Sequence, residues 1–292
     1  MGIGDDAAVL PAPDGRTVAT TDLLIEGRHF RRDWSSARDI GIKAAAQNLA
    51  DVAAMGATPI ALLLGLAVPA ATEVSWVLDL TRGLQHECER AGAVIAGGDV
   101  SGAQTVMLGI TALGTLGGRP PVTRSGARPG DAVAVSGAVG RSAAGLAVLQ
   151  AGLDPVGNAD LAALVSAHQR PQPDYLAGPL AAAAGATAMI DVSDGLVADL
   201  GHVAAASGVR IDIRSASLPA ADLRSAADRL GADWHDWALG GGEDHALAAS
   251  FPPDAPPPPA WTLIGTVMSG NGVTVDGRPW HGRGGWEHFP AG

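Results

Sequence analysis

The chain has 292 residues, of which 47% are hydrophobic and 17% charged, and its net charge is −11. That balance fits a packed globular protein of one large or two medium domains and excludes a disordered one. The acidic surface disfavours nucleic acid, whose phosphates need basic groups, but admits a nucleotide where bound metal inverts the local field.

Strand signals open the chain at "AAVL" and "TVATTD". Ser35 or Ser36 can cap a helix through "ARDIGIKAAAQNLADVAAM", which Gly56 ends. A buried strand "IALLLGLAV", a helix over "TEVSWVLDLTRGLQHECERAG", and strands at "AVIAGGD" and "TVMLGITALGTL" follow. The segment "GGRPPVTRSGARPGD" reads as a boundary. Beyond it come a strand "AVAVSG", a helix from Arg141 to Gln150, a strand "ATAMIDV", a helix after "SDG" and a strand "VRIDIR". The short strands "HALAASF", "WTLIGTV" and "VTVDG" close the series, and "PPDAPPPP" between the first two is a semi-rigid loop. Strands and helices alternate, so two α/β domains are expected, residues 1–118 and 119–292.

The single cysteine, Cys88, excludes an internal disulfide and a cysteine-rich zinc site, and its helical setting suits a packed thiol. No signal peptide or myristoylation pattern is present. The uncharged stretch from Val52 to Thr72 has the length of a membrane span. Gly56, Pro59, Gly65 and Pro69 divide it into a helix end, a turn and a strand, so a cytoplasmic protein with no membrane contact is expected.

Carboxylates recur where apolar strands end, beside glycine: Asp5-Asp6, Asp22, Asp99, Asp191 with Asp194, and Glu243-Asp244. Asp51 differs, lying inside a helix one turn after Asn48. Strand ends converge on one sheet edge, and carboxylates gathered there need cations; hard oxygen ligands suit Mg²⁺, which shares its shell with phosphates. Each acid also has an ordinary reading. Ser193 or Asp194 can cap the next helix, Asp22 can end a strand, Asp99 can sit in a loop, and Asp51 can pair with Lys43 two turns earlier. His29 by itself is a loop histidine. The joint recurrence is what these readings explain poorly.

A Walker A loop is absent, since the one lysine, Lys43, sits within a helix, and no dinucleotide glycine fingerprint follows a strand. Phosphate then falls to metal, backbone N–H groups and arginine, with Arg124 the natural fork for it or else an exposed solubilising residue.

The motifs "GIGDDAAVL", "TTDLLIEGRHF", "NLADVAAMGA", "AGGDV", "TRSGARPGD", "IDVSDGLVADLGH" and "GGEDHAL" occur in this order and at fitting distances. Together they resemble the thiamine-monophosphate kinase family, of the superfamily that includes aminoimidazole ribonucleotide synthetase. The resemblance runs from Gly2 to the tail "GRGGWEHF". It implies a two-domain α/β fold, usually a homodimer in which the N-terminal mixed sheets pair, and transfer of the γ-phosphoryl group of ATP to thiamine monophosphate with several Mg²⁺ ions. Carried over by motif, Asp6, Thr20, Thr21, Asp22, Asp51, Asp99, Asp191 and Asp194 resemble the metal shell. Gly98, Asp99, Arg124 and Ser193 resemble the ATP contacts, and His29, Glu243 and Trp286 those to thiamine monophosphate. Family members carry further residues, usually with a helix, before the first motif, and an upstream segment of that kind is expected to cover apolar surface.

The acceptor in such a reaction is an already anionic phosphate oxygen, so the chemistry calls for positioning and charge neutralisation and no strong base. Two relatives in the superfamily fit badly: selenophosphate synthetase needs a catalytic cysteine or selenocysteine with a lysine near the N-terminus, and the hydrogenase-maturation relative a C-terminal cysteine. Here Cys88 is mid-helix and the chain ends "WEHFPAG". A catalytically silent nucleotide- or metal-binding regulator is the alternative from another class, and the intact acidic set argues against it.

Overall fold

The computed structural model describes residues 12–219 and 222–282, so the expected "AAVL" strand lies outside the described residues. Strands β1 (Val18–Ile25), β2 (Thr58–Val68), β3 (Val94–Gly102) and β4 (Met107–Thr115) form a mixed sheet in the order β1-β4-β2-β3. Only the β2–β3 pair is parallel. In β4 inward and half-exposed positions alternate without a break, as a strand with one covered face requires.

Helices α1 (Ala37–Ala54) and α2 (Val74–Ala91) pack against this sheet around Leu24, Ile40, Leu49, Leu62, Leu84 and Ile110. Ser36 starts α1 with a reciprocal capping box: its hydroxyl accepts from the Asp39 N–H while the Asp39 carboxylate accepts from the Ser36 N–H, each at 3.2 Å. Gly56, with φ +72°, follows the end of the helix, as expected.

A second, seven-stranded sheet comprises β5 (Ala132–Ser136), β6 (Ala188–Val192), β7 (Arg210–Ile213), β8 (Ala246–Phe251), β9 (Trp261–Met268), β10 (Gly272–Val275) and β11 (Arg278–Pro279). Their order is β11-β10-β7-β9-β5-β8-β6, and only β7 and β10 run parallel. Helices α3 (Arg141–Gln150) and α6 (Leu196–Ser207) lie where the sequence places them. Helices α4 (Ala159–Gln169), α5 (Ala177–Ala183), α7 (Leu223–Leu230) and α8 (Trp234–Gly240) go beyond the expected elements. Two of these are only seven residues long, too short for a 3.6-residue period to stand out. The Val52–Thr72 stretch resolves into the end of α1, a turn and β2, and among the described residues no helix is long and apolar enough to cross a membrane.

Helix α1 belongs to both halves. One side packs on the first sheet, while Ala53 and Ala54 join a core cluster with Ala177 and Ala181 of α5, Met189 of β6 and Phe251 of β8. Fourteen of its 18 residues are buried, so it lacks the polar face of a surface helix. The 117–131 segment runs beside it: Val122 N–H donates to Met55 C=O, and Met189 N–H of the edge strand β6 donates to Thr123 C=O. The β6 edge is thereby covered.

Glycines let α1 and α2 approach closely. A Cβ on Gly83 would run into the Arg38 carbonyl, and one on Gly41 into the Leu80 carbonyl. Gly83→Ala should therefore lower the unfolding free energy by about 1–3 kcal/mol. Urea unfolding reads this directly, and an unchanged midpoint would mean the crossing has room for a methyl group.

Candidate functional site

Three polar residues interrupt the apolar surface of α1 at a spacing of four: Lys43, Gln47 and Asp51. That spacing stacks them along one face. Each reaches a different partner. Lys43 Nζ lies 3.1 Å from Glu243 Oε1, Gln47 Nε2 donates to Asp22 Oδ2 at 3.0 Å, and Asp51 Oδ2 accepts from Thr20 Oγ1 at 3.0 Å. Asp51 thus does not pair with Lys43, which turns to the C-terminal half.

Strand alternation sorts the β1 residues. Thr20 and Asp22 face α1, whereas the Thr21 hydroxyl donates to the Ile110 carbonyl and accepts from Thr111 on the neighbouring strand. Only the first two join the stripe on α1.

From the second sheet, β6 delivers Asp191, whose Oδ2 is buried without a hydrogen-bond partner and sits 3.6 Å from His245 Nδ1. The turn after β6 is shaped from behind: the Asp199 carboxylate accepts the N–H groups of Ser193, Asp194 and Gly195, at 3.1, 3.1 and 3.0 Å. The ordinary reading of Ser193 or Asp194 as the N-cap does not hold, because neither is the N-cap of the next helix. Gly195 is the N-cap, and it carries no side-chain cap bond.

The segment Glu243-Asp244-His245 sends three consecutive side chains to three places. Glu243 meets Lys43, the Asp244 carboxylate accepts from Gly140 N–H at 2.6 Å and Ser142 N–H at 2.8 Å at the start of α3, and His245 meets Asp191. Glu243 and His245 have φ of 64° and 54°, a left-handed conformation that ordinary side chains disfavour. Backbone bonds hold it, with Glu243 N–H to Ser193 C=O at 2.8 Å and His245 N–H to Val192 C=O at 3.0 Å.

Crowding of acids sets the electrostatics. Burial, then Asp191 and Asp22, push the Asp51 carboxyl up to about 7 against the opposing effects of His245 and Thr20. Burial and Asp191 likewise raise Asp199 to about 7, although backbone N–H groups oppose it. Burial raises Asp244 to about 7 against the two N–H groups it accepts. Burial alone would depress the His245 imidazole, but Asp191, Asp51 and Glu243 around it raise it above its usual value. Burial would raise Glu243, yet Lys43 and His168 hold it below the ordinary range.

The other expected site residues sit on other elements. Gly98 and Asp99 are on the exposed edge strand β3, where a Cβ on Gly98 would meet the Leu64 carbonyl. Arg124 is in the exposed 117–131 segment, its carbonyl accepting from Ser207 Oγ. His29 Nδ1 accepts the Ile25 N–H at 3.0 Å, just past β1. Asp5, Asp6 and Trp286 lie outside the described residues. Among the described residues no three His, Cys, Asp or Glu side chains stand close enough to hold a metal ion by themselves. Gln47, Asp199 and His245 are the contributors that motif reading passes over. The four-residue spacing from Lys43 to Asp51 was a signal for the first; nothing in the local sequence marks the other two.

Residues 4–116 match the family model described as "AIR synthase related protein, N-terminal domain". The chain is 50% identical over 293 residues to thiamine-monophosphate kinase of Mycobacterium tuberculosis (strain ATCC 25618 / H37Rv), an alignment covering 99% of this chain and 86% of that protein. It resembles the crystal structure of thiamine monophosphate kinase from Aquifex aeolicus at a TM-score of 0.85 and 36% identity, covering 91% of this chain and 90% of the other. The structure of AaThiL complexed with AMPPCP and TMP is similar at a TM-score of 0.88 and 36% identity, covering 98% and 92%.

His168 gives the site a measurable pH signature. Burial and Lys43 lower it to about 4, although Glu243 opposes this, and Ser142 Oγ lies 3.1 Å from its Nδ1. A histidine depressed in the folded state contributes its full stability above the unfolded value of about 6.5 and loses it as pH falls toward 4. His168→Gln should remove a pH-dependent increment on the order of 3 kcal/mol between those limits. Denaturant melts at pH 7 and pH 4.5 check it; parallel losses in variant and wild type would contradict it.

Proposed function

Because the chain belongs to the thiamine-monophosphate kinase family, we propose that it transfers the γ-phosphoryl group of ATP to thiamine monophosphate, giving thiamine diphosphate and ADP. The observation that carries this reading is the meeting of Asp51 of α1 with Asp22 of the first sheet and Asp191 of the second.

The donors fit Mg²⁺. They are hard carboxylate oxygens, one of them the buried Asp191 Oδ2, which accepts no hydrogen bond, and Asp51 is pushed up by burial and by its acidic neighbours Asp191 and Asp22. With no three donors enclosing an ion in the described residues, the rest of the shell falls to phosphate oxygens and water, the usual habit of Mg²⁺. In this reading several ions are held by Asp6, Thr20, Thr21, Asp22, Asp51, Asp99, Asp191 and Asp194, Thr21 through its main chain because its hydroxyl is turned away. When bound there, Mg²⁺ supplies the positive charge that lets two polyanions approach.

The chain's own residues do the positioning. Gln47 and Thr20 orient the carboxylates of Asp22 and Asp51. Asp199 shapes the turn that offers Ser193 to ATP, with Gly98, Asp99 and Arg124 as the other nucleotide contacts. His29, Glu243 and Trp286 take thiamine monophosphate. The acceptor oxygen is anionic, so none of these groups has to remove a proton; the work is in-line alignment.

The proposal extends to a division at residues 118 and 119, since the strands of each sheet fall within one part. It also includes a cytoplasmic homodimer built on the N-terminal sheet, whose exposed Leu23, Leu63 and Val100 support such a contact.

ADP release measured with and without thiamine monophosphate tests the activity, and release that ignores the acceptor would refute it. Asp51→Asn should fold and retain the Thr20 hydrogen bond but lose about a hundredfold in turnover at limiting Mg²⁺. Near wild-type turnover would remove Asp51 from the metal shell.

A further inference from the structure

Lys43 is the single lysine of the chain, and its side chain is 2% exposed. Its ammonium makes the ion pair with Glu243 and no hydrogen bond of good geometry. A buried ammonium is costly, and a buried ion pair adds little net stability over an apolar pair of the same size. The consequence of this pair lies in where it holds the carboxylate.

Glu243 is fixed on two sides. Its N–H donates to the Ser193 carbonyl, and a Cβ on the preceding Gly242 would collide with that same carbonyl, so backbone lies against backbone. Its side chain is a third exposed, with Oε1 toward Lys43 and Oε2 3.7 Å from His168 Nδ1. A carboxylate on an open edge of a site would otherwise sample several rotamers, and Lys43 reduces that freedom from a rigid, buried helix. The same helix orients Asp22 and carries Asp51, one and two turns further on.

We propose that Lys43 is a positioning residue for the acceptor substrate, acting through Glu243 to set the affinity for thiamine monophosphate. This rests on the reading of Glu243 as a contact to that substrate. The ammonium does not touch the substrate; it holds the Glu243 carboxylate in the orientation that does, and it couples the helix bearing Asp51 to the acceptor side of the site. A preorganised contact binds more tightly than one that must be ordered on binding, and the loss of one charge-assisted pair corresponds to about tenfold in affinity.

Steady-state ADP release, with each substrate varied in turn, provides the test. Lys43→Met should raise the KM for thiamine monophosphate about tenfold while leaving the KM for ATP within about twofold. Lys43→Arg, which keeps the charge, should restore most of the loss. Glu243→Gln should raise the same KM, and adding Lys43→Met to it should cause no further rise, because the two act as one unit. If Glu243→Gln raises the KM for thiamine monophosphate and Lys43→Met does not, Lys43 is only a packing residue. If Glu243→Gln leaves that KM unchanged, the assignment of Glu243 itself fails and the proposal falls with it. Should Lys43→Met not fold because it leaves the Glu243 carboxylate without its partner, the double variant, in which both charges are gone, decides: equality with Glu243→Gln supports the proposal, and a further tenfold rise means that Lys43 contacts substrate directly and overturns it.

Discussion

A helix packed between two sheets has no solvent face on which to place charge, so every polar side chain on it must find a partner in the protein or a ligand. Helix α1 is in that position. It shares one core with the first sheet and another with α5, β6 and β8, and the exposures along it leave only Arg38, Asp39, Gln47 and Asp51 less than fully buried. The first two sit at its capped start; Gln47 and Asp51 open on the place where Asp22, Asp191 and His245 converge. The site is therefore not a cleft cut into a finished fold. Among the described residues it is a gap left along a helix buried between the two sheets.

The charge arrangement follows from the same burial. Asp51, Asp199 and Asp244 are all raised to about 7 by loss of solvent, yet the remedies differ. Asp199 and Asp244 are satisfied by backbone N–H groups and do structural work, one on the turn after β6 and the other at the start of α3. Asp51 has a single threonine hydroxyl and two acidic neighbours. The acid with the least hydrogen bonding is the one facing Asp191, whose buried Oδ2 accepts no hydrogen bond and has only the His245 ring at 3.6 Å, and that contrast separates a candidate cation site from acids that hold the fold.

Much of the fold was legible because its elements are long or strongly periodic. Helix α1 carries a capping residue, an apolar body and a terminating glycine, and the β4 stretch alternates through nine residues. Helices α4, α5 and α8 were not read, since their alanine-rich or short segments carry little periodic signal and their helicity comes from packing; α7 is amphipathic but spans only eight residues. The acids at strand ends stood out individually, but their partners are non-local: Lys43 meets Glu243 across two hundred positions, and His245 meets Asp191 from the position just before the neighbouring strand β8. Thr21 shows what the pleat adds: it follows Thr20 and precedes Asp22 in sequence, yet its hydroxyl turns to the other face of the strand, onto the Ile110 carbonyl and Thr111. Asp99 lies on the edge strand β3 of the first sheet, one of the strand-end acids that the sequence shows individually.

The central claim is the proposal that Asp51 of α1, with Asp22 and Asp191 brought to it from the two sheets, holds the cations that join the two phosphate-bearing substrates. Mn²⁺ can replace Mg²⁺ on hard oxygen ligands and scatters anomalously. Crystals grown with Mn²⁺, a non-hydrolysable ATP analogue and thiamine monophosphate should show anomalous peaks within coordination distance of Asp51 and Asp191. Peaks confined to other parts of the surface, with both substrates bound and these carboxylates unligated, would contradict the account.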